Sequence, residues 1–203
     1  MKLIYRGGYN KHNENSIKKS LFYEYNNWIN KQTNSGKQIC FVTYAKPAHY
    51  YDKYIISQFD SLIEVIEEGN NNIDWAKYDI IILLGGSQTK LMSGLQKSGF
   101  NMERLKKDVI IIGDSAGAFV LSAYMIIRNQ VDQTTLFVPA LYPQSNVITL
   151  AHTNNTVYFS SELLKETRKF AREKKLKVLL LKENEAKLLN ESGEFIDFNI
   201  TEI

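Results

Sequence analysis

Gly113-Asp114-Ser115-Ala116-Gly117 is the stretch of this chain best suited to chemistry. It fits the pattern Gly-x-Ser-x-Gly, in which a serine stands on a sharp turn between a strand and a helix. The apolar run Val109 to Ile112 precedes it, and Phe119, Val120 and Leu121 follow. Those flanks read as the strand and the helix that the pattern needs. The glycines let the turn close and let neighbouring backbone pass the serine. The hydroxyl then sits at a helix N-terminus, where unpaired N–H groups can hold an oxyanion. Such an arrangement serves nucleophilic attack on a carbonyl carbon, with Ser115 as the nucleophile. The simpler alternative is a Gly-rich turn that only binds an anion.

A serine nucleophile needs a base, most often histidine. The chain has three: His12, His49 and His152. His12 lies among Lys11, Asn13 and Glu14 and reads as solvated. His49 lies in the stretch Pro47-Ala48-His49-Tyr50-Tyr51 after the second expected strand, also at a strand end, and competes for the role. His152 follows the run Val147 to Leu150 and leads into polar Thr153-Asn154-Asn155, so it is the expected base. It lies 37 residues past Ser115. In α/β-hydrolases the acid falls between serine and histidine. Here Asp132 is the sole acid in that interval, and the interval is too short for the remaining strands of that fold. Asp114 adjoins the serine and should point away from it.

These residues need a scaffold, and strand and helix signals alternate along the chain. Strands are expected at Leu3 to Tyr5, Ile39 to Tyr44, Asp79 to Leu84, Val109 to Ile112, Val147 to Leu150 and Lys177 to Leu181. A helix is expected after Asn15-Ser16, with Ile17, Leu21, Tyr25, Trp28 and Ile29 on one face, ending at Gly36. A second carries Ile55, Ile56, Phe59, Leu62, Ile63 and Ile66 and stops at Gly69. A short third helix holds Leu91, Met92 and Leu95. A fourth is capped by Ser160-Ser161 and reaches about Lys174. Leu188-Leu189 and Phe195-Ile196 flank a hairpin turn at Glu191-Ser192-Gly193. This alternation predicts one three-layer α/β domain over residues 1–203, with a mostly parallel sheet. Chemistry in such sheets gathers beyond the carboxyl ends of the strands. Gly85-Gly86, Ser115 and His152 are all expected there.

Composition narrows the rest. The chain has 203 residues, 44% of them hydrophobic and 23% charged, which suits a globular domain with a sizeable core. A net charge of +3 is too small to argue for nucleic acid. The basic residues from Lys165 to Lys177 interleave with Glu162, Glu166 and Glu173, as on a solvated helix face. The apolar runs are far short of a membrane span. The single cysteine, Cys40, lies in an apolar run and reads as a buried, inert thiol. A reducing cytoplasm is the expected compartment.

The segment Gly113 to Ala118 resembles the Gly-x-Ser-Ala-Gly-Ala signature of the peptidase E (aspartyl dipeptidase) and cyanophycinase family. Ile82-Leu83-Leu84-Gly85-Gly86-Ser87-Gln88-Thr89 resembles that family's strand and Gly-Gly turn, although the family usually has Asn where Ser87-Gln88 stands. The resemblance implies a fold similar to class I glutamine amidotransferases (flavodoxin-like) and a serine peptidase activity. It implies a histidine at the position of His152 and oxyanion amides at Gly86 and Ala116. Glu166-Thr167-Arg168 resembles the segment whose arginine reads an acidic side chain before the scissile bond, which makes Arg168 the substrate-binding candidate. Leu181 to Ala186 resembles the segment that supplies the acid of the triad, which would be Glu183. Glu183 follows an expected strand, and so does Glu185, so spacing leaves those two open, with Asp132 as a third.

The sequence thus points to a serine-type peptidase acting on a short peptide through Ser115, His152 and Glu183. Its rivals are an esterase or amidase acting on another small molecule, and a non-catalytic binding module of the same fold. No cofactor, metal, nucleic acid or membrane partner is expected, and a monomer or homodimer suffices.

Overall fold

Alternate residues of a strand face opposite sides of a sheet, so an all-apolar strand needs cover on both. The computed structural model of the chain describes residues 1–52, 59, 63–129, 134–190 and 192–199. Strands β1 (Lys2–Arg6), β2 (Ile39–Val42), β3 (Ile63–Ile66), β4 (Ile80–Leu83) and β5 (Ile110–Asp114) lie parallel in one sheet. Two further strands, β10 (Ala186–Leu189) and β11 (Phe195–Asp197), extend it antiparallel, giving the order β11-β10-β1-β5-β4-β2-β3. The expected hairpin is this β10–β11 pair.

Each face of that sheet has its own core. Ile81, Leu83 and Ile111 face Leu91 and Leu95 of helix α4 (Gln88–Lys97) and Ala118 and Val120 of α5 (Ala116–Val120). Ile80, Ile82 and Ile112 face the other way. There they meet Leu21 and Phe22 of α2 (Leu21–Glu24), and Trp28 and Ile29 of α3 (Asn26–Asn34). The fold is therefore α/β with a mostly parallel, doubly covered sheet, as the alternation of elements predicts.

Three local expectations need correction. The first helix is instead three short ones, the first being α1 (Glu14–Lys18), and its N-cap is Asn13 rather than Asn15-Ser16. Ile63 and Ile66 belong to strand β3, not to a helix; residues 55, 56 and 62 of that expected helix lie outside the described residues. The run Ile63–Ile66 pairs in parallel with Ile39–Val42, and this long-range pairing overrides the local helical spacing.

The third correction concerns the sheet itself. The four strands between β5 and β10 do not join it. They form a second sheet, β7-β6-β8-β9, from β6 (Tyr124–Arg128), β7 (Thr135–Pro139), β8 (Val147–Leu150) and β9 (Lys177–Leu180). Ile126, Ile148 and Leu150 pack there against Leu163 and Ala171 of helix α6 (Ser161–Lys174), which Ser160 caps. No helix among the described residues is long and apolar enough to cross a membrane.

Cys40 sits in the middle of β2 with no exposed surface, and burial pushes its thiol well above the usual range. The folded protein should therefore resist iodoacetamide at pH 8. One equivalent should add on unfolding in guanidinium, as read by intact mass.

Candidate active site

Strand β5 ends at Asp114 and α5 begins at Ala116, so Ser115 alone makes the turn. Its φ of 52° and ψ of −106° lie in a region that non-glycine residues rarely visit. The glycines around it are there for space. A Cβ on Gly113 would lie 2.6 Å from the Gly117 backbone, and one on Gly117 would lie 2.2 Å from the Leu83 carbonyl oxygen. The Ser115 amide donates to the Arg6 carbonyl at 3.0 Å, which ties the turn to β1.

His152 arrives from the other sheet, two residues beyond the end of β8, at φ 57°. Ser115 Oγ lies 2.9 Å from His152 Nε2. On the far side of the ring, His152 Nδ1 lies 3.1 Å from Glu183 Oε1. Both side chains of this pair are only slightly exposed, 12% for His152 and 9% for Glu183. Asn155 Nδ2 donates to the same Glu183 oxygen at 2.8 Å, and the Glu183 amide donates to Asn154 Oδ1 at 2.7 Å. Sequence reasoning passed over both asparagines, because their partner is remote in the chain.

The other candidate acids and bases stand elsewhere. Glu185 Oε2 accepts from the Lys182 amide at 2.8 Å, and its Oε1 pairs with Lys187 at 3.4 Å. Asp132 lies outside the described residues. His49 is exposed, pairs with Asp52 at 2.9 Å and does not line the cleft. His12 is exposed on the cleft rim. Asp114 points away from Ser115 Oγ into a pair with Arg6 at 2.8 Å. Burial raises its carboxyl above the usual carboxylate range, and the charges of Arg6 and His152 oppose that rise.

Ser115 and His152 open into a cleft of about 680 Å³ between the two sheets, which Gly86 and Ala116 also line. The amides of Gly86 and Ala116 donate to no group among the described residues. Tyr158 lies against the His152 ring, with centroids 4.9 Å apart. Arg168 does not line the cleft. It is exposed on α6, whose buried face is Leu163, Thr167 and Ala171. Leu163 reaches the cleft, but Arg168 follows Thr167 and is turned about 100° from that face. The arginine at the cleft is Arg128, the last residue of β6. Its Nε is buried without a hydrogen-bond partner. A cation closing the apolar strand Tyr-Met-Ile-Ile was the sequence signal for it.

These features define a serine-dependent hydrolase built on an α/β sheet. The model of peptidase family S51 matches residues 13–193. The chain belongs to that family and is a serine-type peptidase. Among solved structures it is similar to a peptidase from an acI-B1 Actinobacterium, with a TM-score of 0.54 and 17% identity. The superposition covers 92% of this chain and 82% of that one, and the likeness is one of fold. No curated protein matches the chain.

Gly8 closes the site from above, at φ 80°. A Cβ there would come within 2.5 Å of His152 Cε1 and 3.0 Å of Ser115 Cβ. Gly8→Ala should therefore push the ring off the serine and lower kcat/KM by roughly 10- to 100-fold, the scale of a misplacement of about 1 Å. Circular dichroism should show an intact fold. Activity within error of wild type would mean that the ring has room the geometry denies it.

Proposed function

We propose that the chain cleaves short peptides through a Ser115–His152–Glu183 triad. One observation carries this reading: the hydrogen-bonded line from Ser115 Oγ through His152 to Glu183, with steps of 2.9 and 3.1 Å. Ser115 Oγ attacks the scissile carbonyl carbon while His152 Nε2 takes its proton. Glu183 accepts from Nδ1–H, which fixes the tautomer and steadies the imidazolium that forms. Asn155 holds Glu183 in turn. The amides of Gly86 and Ala116 receive the oxyanion: both residues line the cleft, and neither amide has a partner among the described residues. When the tetrahedral intermediate collapses, Nε2 returns the proton to the leaving amine. Water then attacks the acyl-enzyme by the same route.

A fluorophosphonate probe should label Ser115 alone, and Ser115→Ala should abolish labelling. His152→Ala should lower kcat by about 10⁴-fold or more, the scale found for triad members. Loss of turnover in His49→Ala, with His152→Ala active, would reverse the assignment of the base.

The substrate we propose carries an acidic side chain before the scissile bond. Charge at the cleft supports this. Lys11, Lys46 and Arg128 line it, and the one lining carboxylate among the described residues, Asp114, is already paired with Arg6. Arg128 has no ion-pair partner among the described residues and lies toward the same end of the second sheet as His152. A guanidinium can grip a carboxylate with two parallel hydrogen bonds, which lysine cannot reproduce. Arg128 thus takes the role that resemblance gave to Arg168. Arg128→Ala should cost about 2–4 kcal/mol in transition-state binding of Asp-X dipeptides, roughly 30- to 1000-fold in kcat/KM, with little effect on Ala-X. Arg168→Ala should change neither. Equal losses on Asp-X and Ala-X would make Arg128 structural.

A further inference from the structure

Beneath the turn that carries Ser115 lies an ion pair that the proton transfers and the oxyanion amides do not use. Arg6 ends β1 and Asp114 ends β5, and the two are register partners across that parallel pair. Arg6 Nη1 donates to Asp114 Oδ1 at 2.8 Å, and the side chains are 0% and 5% exposed. Arg6 is itself held at both terminal nitrogens, while its Nε is buried without a hydrogen-bond partner. Its Nη2 donates to the Lys19 carbonyl at 3.0 Å and to Glu24 Oε2 at 3.4 Å. The guanidinium carbon lies 4.7 Å from the centroid of the Tyr25 ring. Helices α1 and α2, through Lys19, Glu24 and Tyr25, therefore set where Arg6 sits.

Arg6 meets the turn twice. Its carbonyl accepts the Ser115 amide at 3.0 Å, and its guanidinium holds the side chain of the residue just before Ser115. Ser115 needs such a clamp. A non-glycine residue at φ 52° and ψ −106° is strained, and strain of this kind persists only where the surroundings over-determine it. The hydroxyl has one productive place, 2.9 Å from His152 Nε2. A buried charge pair is a poor choice for stability alone, because a well-packed apolar pair of similar volume often does as well or better. What the pair adds is direction. Arg6 Nη1 holds the Asp114 carboxylate while the Arg6 backbone carbonyl holds the Ser115 amide.

We propose that Arg6 and Asp114 are positioning residues for Ser115: their ion pair holds the strained turn so that Ser115 Oγ stays in line with His152. The inference rests on Ser115 being the nucleophile.

The test compares wild type with Asp114→Asn, Arg6→Lys and the double variant Arg6→Gln/Asp114→Asn. Three quantities are read for each: the rate constant for fluorophosphonate labelling of Ser115, kcat and KM on a dipeptide that the wild type cleaves, and the melting temperature. In folded Asp114→Asn the labelling constant and kcat should fall roughly 10- to 100-fold, with KM within about 3-fold of wild type. Arg6→Lys keeps the charge but loses the fork, and should fall between that variant and wild type. If Asp114→Asn does not fold, the double variant, a neutral hydrogen-bonding pair, is held to the same thresholds. A pair that is merely structural would lower the melting temperature and leave labelling and kcat within about two-fold. That result overturns the proposal. A wild type that the probe leaves unlabelled removes the nucleophile reading, and this inference with it. A labelled wild type with unchanged variants removes this inference alone.

Discussion

The turn between β5 and α5 is the constraint on which the rest of the site depends. One residue makes it, and that residue is not glycine although its φ is positive. Such a conformation costs on the order of 1–3 kcal/mol. It is held because the chain around it is packed to backbone contact. Gly113 and Gly117 have no room for a side chain, and Gly85 lies beside Ser115 with a Cβ that would stand 3.2 Å from the serine's own. The strain turns the hydroxyl out of the sheet and toward His152. The same bend opens the first turn of α5, whose Ala116 amide donates to no group among the described residues.

A site built this way needs its partners brought from far along the chain. Ser115 hangs from the first sheet and His152 from the second, and the cleft is the seam between them. The segment after β9 crosses that seam. The Leu181 amide bonds to Leu150 and the Asn184 amide to Gly8, both at sheet ends. Glu183 lies between those two anchors, which explains why it meets the histidine while Glu185 turns back to Lys182 and Lys187. From the His152 loop, Asn155 bonds the Glu183 carboxylate and Asn154 bonds the Glu183 backbone amide.

Charge is distributed with the same economy. Breaking a buried ion pair by removing one partner typically costs about 3–5 kcal/mol, since the remaining charge is stranded. With Asp114 paired to Arg6, the cleft presents Lys11, Lys46 and Arg128 and, among the described residues, no free carboxylate. An anionic ligand entering such a cleft meets an attractive field inside low-dielectric walls.

The local signals were strong where one segment decides its own structure. The apolar runs at Ile80–Leu83 and Val109–Ile112 read as buried strands and the glycines around Ser115 as a tight turn, so the fold class and the strand-to-helix turn at Ser115 were legible in the sequence. His152 was legible because it stands where an apolar run ends. Family resemblance, rather than spacing, singled out Glu183, since two acids follow the same strand. The structure separates them, because the choice depends on Asn154 and Asn155 some thirty positions away. Ile63 and Ile66 have helical spacing and still form a strand, because pairing with β2 outweighs local preference. Arg128 lines the cleft and Arg168 does not for a related reason. Which face a helix turns to a cleft, and which strand joins which sheet, are set by packing between elements. Sequence spacing records the period of an element. Its partners are decided only when the chain folds, because the contacts that choose them join residues far apart along it.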